Sequence, residues 1–302
     1  MPGRFTAADV RGTLKTRDSW WTVFFVDPLA APLVKLLANR TNVTPNQLSL
    51  VAFVLGLGSA AAFLTGNRWL LALGGVLFHL AFLVDCLDGK IARLKGTGTT
   101  WGKWLDFVVD RVRIFLCMIT LVVGQYLHTG EAFYLILGLG AIAVEGFRYI
   151  NAAQAQDLRR EMRAKTVELQ QAAGDSPKFV EDMMLADPQL DPDRLVEQGD
   201  AIDLQQGFRK KFGFYDRVRR TLRRHRIRTH LWSGVEYEMF VCIVGPLTGF
   251  VASVIIGSAV LLLLFEGLLV YQLWLQVREF DRMVAAQTPP PPTDDTADDR
   301  VS

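Results

Sequence analysis

Cysteine is scarce in this chain. The three residues among 302, Cys86, Cys117 and Cys242, form no close pair and follow no metal-ligand spacing, which argues against a disulfide framework or a thiolate metal site. The first 18 residues are polar and lack a continuous apolar stretch, so no cleavable leader is expected. No internal repeat stands out of the kind that marks an inverted-repeat transporter. Net charge is nearly absent too. With 33 basic and 31 acidic residues the balance is +2, so the placement of charge carries more information than its sum.

Apolar residues are abundant and segregated. Half the residues are hydrophobic and mean hydropathy is positive. The apolar residues gather in runs at 48–64, 69–84 and 239–275, with the charges between them. A bilayer core of roughly 30 Å takes about 20 apolar residues of helix, and backbone groups in lipid must be satisfied within the segment. The fold class expected is all-α, a polytopic membrane protein with six transmembrane helices and an N-terminal interfacial segment.

Residues 1–46 read as a basic cytoplasmic arm followed by an interfacial amphipathic segment. Around 20–40, Trp20, Trp21, Phe24 and Phe25 mix with Pro28, Pro32, Lys35 and Arg40, a run too interrupted to span and suited to the headgroup zone. Residues 47–151 should hold helices one to four. Thr44 is a fitting cap and Pro45 a fitting first residue for helix one, and helix four is expected over 133–149. Residues 152–230 read as a hydrophilic cytoplasmic insert with a short helix at 157–171. Its basic end, 209–228, contains ten Lys or Arg residues and suits anionic headgroups or an anionic acceptor. Residues 231–277 should hold helices five and six, because the 37-residue run 239–275 would reach about 55 Å as one helix; the break is expected near 245–250. The tail 278–302 ends in a proline-rich acidic stretch and should be disordered. Basic residues crowd the arm, the link between helices two and three, and the 152–230 segment, while the opposite turns hold only Arg68. Both termini should therefore be cytoplasmic, in the cell membrane. No nucleic-acid partner is expected.

Between helices two and three lie Asp85, Asp88, Gly89, Ala92 and Arg93, then Gly102, Asp106 and Asp110. Asp85 and Asp88 are three apart and Asp106 and Asp110 four apart, so each pair occupies one face of its helix. The short link 95–100 makes the helices antiparallel neighbours and gathers the four carboxylates. Such a cluster needs offsetting cations; oxygen ligands suit Mg²⁺ or Mn²⁺, and two such ions would clamp a diphosphate. Arg93 can present a planar fork to phosphate. Gly89 and Gly102 leave room for a ligand or for the facing helix, and Thr97, Thr99 and Thr100 supply hydroxyls.

The spacing Asp85-x-x-Asp88-Gly89-x-x-Ala92-Arg93, eight residues, Gly102-x-x-x-Asp106-x-x-x-Asp110 resembles the signature of the CDP-alcohol phosphotransferases at every fixed position. The resemblance implies a cytoplasm-facing site with two divalent ions that binds a CDP-alcohol, commonly CDP-diacylglycerol, and releases CMP on transfer to an acceptor hydroxyl. It implies metal ligation by Asp85, Asp88 and Asp106, with Asp110 both bridging a metal and serving as general base. Gly89, Arg93 and Thr99 would contact the cytidine and diphosphate, with Asp85 and Gly102 beside them. It also implies a homodimer. The acceptor pocket should lie toward Glu145 and Arg148, with the basic run and Glu236 and Glu238 as further candidates. The family's phosphorylated-acceptor synthases usually carry an Arg-Ala-Arg-like run after helix four, where this chain has Phe147-Arg148-Tyr149-Ile150-Asn151; that departure puts those acceptors in doubt. A soluble donor such as CDP-inositol, or transfer onto diacylglycerol, stays open. Two other classes use buried carboxylates. An intramembrane prenyltransferase would carry a second Asp-rich motif, yet helices five and six contain no aspartate. A carboxylate metal transporter would need more polar residues along its helices than Glu266 and Gln272.

Overall fold

A computed structural model of the chain describes residues 5–172 and 224–287, with isolated positions at 174, 178–180, 182–183, 195 and 221–222 between them. Most of the basic run 209–228, and the tail from 288 on, lie outside the described residues. The described residues are helical with no strand. The helices among the described residues are α1 (Ala7–Gly12), α2 (Thr22–Arg40), α3 (Pro45–Leu64), α4 (Arg68–Lys95), α5 (Thr100–Thr129), α6 (Phe133–Ala172), α7 (residues 234–248) and α8 (Val251–Gln287).

The ends of these helices follow from local chemistry. Thr44 accepts from Gln47 N while the Gln47 side chain accepts from Thr44 N, a reciprocal cap, and Pro45 takes the first turn of α3 as expected. Asn67 caps α4. Gly66, Gly96, Gly130 and Gly249 all have φ near +60° to +85°, and three of them end a helix by turning the chain in the left-handed region. The turn that matters for function is Gly96. Its amide and that of Thr97 both donate to Ala92 O, Thr99 caps α5 three residues on, and both α4 and α5 then pack against α3.

Five described helices, α2, α3, α4, α6 and α8, are long and apolar enough to cross a membrane. Their outward faces are apolar, with side chains such as Ile136, Leu139 and Leu264 largely exposed, as lipid contact requires and aqueous solubility would not tolerate. The architecture is that of an all-α multi-pass membrane protein. Its boundaries differ from expectation in four places, one of them the end of α8, which continues to Gln287 and so takes in ten residues of the tail expected to be disordered from 278. Residues 22–40 form one uninterrupted helix instead of a broken segment, because Pro28 falls in the first α-helical turn after a π-helical turn at Thr22–Val26, where its missing N–H costs little. Helix four does not stop at 149; α6 runs 40 residues to Ala172, taking in the short helix expected at 157–171. The fifth helix starts at Gly234 behind a Ser233 cap and reaches Thr248 through a π-helical turn, Phe240–Val244. At about 1.5 Å per residue its 15 residues are shorter than a full span.

The chain divides into two compact units: Met1–Tyr149 with Arg217–Glu266, and Ile150–Asp216 with Gly267–Ser302. In the second, Arg159 on α6 donates to Gln276 on α8 at 3.2 Å. In the first, α3, α4 and α5 pack through small residues. The Ser59 hydroxyl donates to Gly74 O at 2.8 Å, and a Cβ on Gly124 would collide with Phe63 O and Leu64. Close backbone approach of this kind is how apolar helices associate in lipid. The loop at 13–18 is tied to 226–228: the amide of Asp18 donates to Arg226 O and that of Arg228 to Asp18 O, each at 2.9 Å. Asp27 on α2 receives buried Lys90 of α4 and Arg226, both at 3.2 Å. The N-terminal segment is thereby pinned beside the motif.

Candidate active site

Asp85 and Asp88 stand one turn apart on α4, and Asp106 and Asp110 one turn apart on α5. Ligand oxygens of Asp85, Asp88 and Asp106 all lie within 4.8 Å of one another. Asp88 and Asp106 are close enough for a side-chain hydrogen bond, an approach two carboxylates sustain only with a shared proton or a cation between them. Ser49 on α3 donates to Asp88 Oδ2 at 2.6 Å. Asp106 Oδ1 is buried with no hydrogen-bond partner, which is unusual for a polar atom unless something else coordinates it. A small divalent ion with oxygens at about 2.1 Å spans opposite ligands about 4.2 Å apart. Cis ligands of such an ion stand about 3.0 Å apart, so the three oxygens would draw inward to hold one, and as an all-oxygen donor set they fit Mg²⁺ or Mn²⁺.

Asp110 lies apart from that trio and is engaged by two arginines. Arg111 Nη2 donates to Oδ2 at 2.7 Å, and Arg113 Nη2 donates to Oδ1. Arg113 is only 2% exposed, and its Nη1 reaches Asp85 Oδ1 at 3.4 Å. Gly56 on α3 makes room for it, since a Cβ there would run into the Arg113 methylenes. Arg111 extends to Glu238 Oε1 at 2.7 Å and Glu145 Oε1 at 3.7 Å.

The residues expected at the nucleotide sit on the motif's outer edge. Arg93 donates Nε to Thr13 O at 2.8 Å. A Cβ on Gly89 would approach Arg93 Nη1 at 3.4 Å, so the glycine leaves that guanidinium free to move over the helix. The Thr99 hydroxyl accepts from Gly102 N at 3.0 Å, and a Cβ on Gly102 would lie 2.9 Å from that oxygen. Thr99 and Gly102 thus work together as the opening of α5. Arg148 is bound to Glu145 at 2.5 Å and 3.2 Å, lies over the Tyr149 ring, and nears Glu238 at 3.8 Å. Glu145 is fully buried. Glu236 instead serves the local fold, accepting from Ser233 and from Trp20 N.

Four residues of the site were not singled out from sequence: Ser49, Arg111, Arg113 and Lys15. Helical spacing contained the signal for Arg113, three residues after Asp110 on the same face. Ser49 gave none, because its partner is 39 residues away. Lys15 reaches Asp106 electrostatically only because the arm folds back.

An acidic cluster within a helical membrane bundle is what this geometry shows, and residues 42–174 of the chain match the family model of the CDP-alcohol phosphatidyltransferases. The family consists of transferases of the EC 2.7.8 type and is generally dependent on divalent metals. The chain is similar to a bifunctional IPC transferase and DIPP synthase of Aquifex aeolicus, 43% identical over 68 residues, covering 22% of this chain and 15% of the relative. It is similar to a phosphatidylinositol phosphate synthase of Corynebacterium glutamicum, 40% identical over 87 residues, 29% of this chain and 36% of the relative. It is also similar to a CDP-diacylglycerol–glycerol-3-phosphate 3-phosphatidyltransferase of Mycoplasma pneumoniae, 35% identical over 99 residues, 31% of this chain and 43% of the relative. The chain spans less than half the length of each of these relatives.

Proposed function

We propose that this chain transfers a substituted phosphate from a CDP-alcohol, in the simplest case CDP-diacylglycerol, to the hydroxyl of an acceptor, with release of CMP in phospholipid synthesis. The observation that carries the reading is the convergence of Asp85, Asp88 and Asp106 on one point, with Asp106 Oδ1 left unpartnered. Asp85, Asp88 and Asp106 would hold the divalent ion, which supplies charge neutralisation at the diphosphate. Of the two Mg²⁺ or Mn²⁺ ions expected, one would be held by this trio once its oxygens close in; the second would have to share Asp85 and Asp110 with Arg113.

The protein's own groups would act as follows. Arg93 leaves the Thr13 carbonyl and turns its fork to the diphosphate, across the space Gly89 keeps clear. Asp110 accepts the proton of the attacking hydroxyl. Its two oxygens offer about four acceptor positions, and the two arginine contacts leave room for this. The acceptor oxygen bonds to the phosphorus next to the alcohol, the bond from that phosphorus to the CMP oxygen breaks, and CMP leaves with the electron pair. The acceptor approaches from the side bounded by Glu145, Arg148 and Glu238. The relatives' names cover phosphatidylinositol phosphate and glycerol-3-phosphate chemistry, so the acceptor class this supports is a polyol hydroxyl. We place the site and both termini on the cytoplasmic face, on the distribution of Lys and Arg, in a homodimer.

The test is CMP release from CDP-diacylglycerol by the detergent-solubilised chain with Mn²⁺ or Mg²⁺, paired with mass spectrometry of lipids in cells overproducing it. A new phosphodiester lipid together with CMP supports the reading. Turnover of a prenyl diphosphate instead, with no CMP from any CDP-alcohol, would sink it.

A further inference from the structure

We infer that the Arg113 guanidinium is a built-in cation of this site, occupying the place between Asp85 and Asp110 where a second divalent ion is expected, so that the chain binds a single metal ion. This rests on reading the aspartate cluster as the metal centre of a CDP-alcohol transferase, and it changes how that centre is charged.

Three observations carry it. Arg113 bridges the two carboxylates that a second ion would need, with Nη1 at 3.4 Å from Asp85 Oδ1 and Nη2 on Asp110 Oδ1. Its position is built into the packing. Arg113 is buried in a notch that only Gly56 leaves open, and one turn further along α5 the Cys117 thiol donates to Gly56 O at 3.5 Å. That contact fixes the face α5 turns to α3, and with it the direction in which Arg113 leaves the helix. Asp110 is also committed on its other oxygen, to Arg111, which is itself anchored by Glu238 and Glu145.

The chemistry favours a fixed cation. A guanidinium does not deprotonate in a protein, so Arg113 brings a permanent charge to the two carboxylates it bridges. Withdrawing it would leave two partly buried carboxylates without their cation, and inserting a divalent ion beside it would set like charges against each other. Asp85, Asp88 and Asp106 are arranged differently. A serine hydroxyl, not a cation, bonds Asp88, and Asp106 Oδ1 is buried with no hydrogen-bond partner. Asp88 and Asp106 are left open to an ion, Asp110 already has its positive charge in Arg113, and Asp85 stands between the two.

The experiment is Mn²⁺ binding to the full-length, metal-stripped chain in detergent, read by calorimetric stoichiometry and by electron paramagnetic resonance. The expected result is one Mn²⁺ per chain with the six-line spectrum of an isolated ion. In Arg113→Met and Arg113→Gln the stoichiometry should rise to two and the spectrum broaden through coupling between neighbouring ions; in Arg113→Lys, which keeps the charge, it should stay at one. Two coupled ions in the unmodified chain, or a single ion in a folded Arg113→Met, overturn the inference. If Arg113→Met does not fold, the unmodified chain and Arg113→Lys decide by themselves. Two ions together with CMP release would sink this inference and leave the transferase reading standing. No bound Mn²⁺ and no CMP release would sink the reading beneath it.

Discussion

Ser49 on α3 donates its hydroxyl to Asp88 on α4 across 2.6 Å, so a helix that contributes none of the four aspartates sets the orientation of a central one. Groups that orient a metal ligand typically change affinity by about 10–100-fold when removed. Ser49→Ala should weaken Mn²⁺ binding within that range and leave the fold intact, as read by titration calorimetry. Unchanged affinity would show that Asp88 is oriented by its own helix.

Asp110 accepts from two arginines and faces the side from which an acceptor would come. Asp110→Asn should lower kcat by about 10²–10⁴, the range a general base contributes, while CMP affinity changes no more than a few-fold. Near-normal turnover in this variant removes Asp110 from the role of base.

Gly56 has no side chain where the Arg113 methylenes pass. Gly56→Ala should therefore displace Arg113 or push α3 from α5, at a cost of about 1–3 kcal/mol as in other overpacked interiors. A fall in the thermal unfolding midpoint in detergent is the expected sign. An unshifted midpoint would mean the notch is not filled as described.

Glu145 and Arg148 form a buried pair with Tyr149 stacked beneath the guanidinium. Breaking such a pair from one side costs about 3–5 kcal/mol, whereas replacing both partners by apolar groups of similar size is often close to neutral. Arg148→Met should destabilise strongly, and Glu145→Leu with Arg148→Met should recover most of the loss. If the double variant is stable and its KM for the acceptor is also unchanged, the pair serves the fold and the acceptor pocket lies elsewhere.

The aspartate trio was legible in the sequence because it depends on short-range geometry. Offsets of three and four put Asp85 with Asp88 and Asp106 with Asp110, and a link with Gly96 and a Thr99 cap left no alternative to an antiparallel return. Helix starts were legible for the same reason, as at Thr44 and Pro45. What could not be read depended on distant partners. Arg111 and Arg113 look like helix-surface charges until α3 and α7 close around them with Gly56 and Glu238. Lys15 lies in an arm that is tied to residues 226–228 through Asp18. The long extent of α6 was hidden because residues beyond 149 are polar, and polarity marks the end of an apolar run without marking the end of a helix. Pro28 and Pro32 read as breaks, yet Pro28 falls in the first α-helical turn and the helix continues through Pro32.

The central claim is that three carboxylates on neighbouring helices form a metal centre acting on a CDP-linked diphosphate. Its most direct test is CMP release from CDP-diacylglycerol by the purified chain, measured with Mn²⁺, after chelation, and in Asp85→Asn, Asp88→Asn and Asp106→Asn. The expected result is CMP formation that stops on chelation, returns with added metal and is lost in each variant. CMP formation that survives chelation or the loss of all three carboxylates would contradict it.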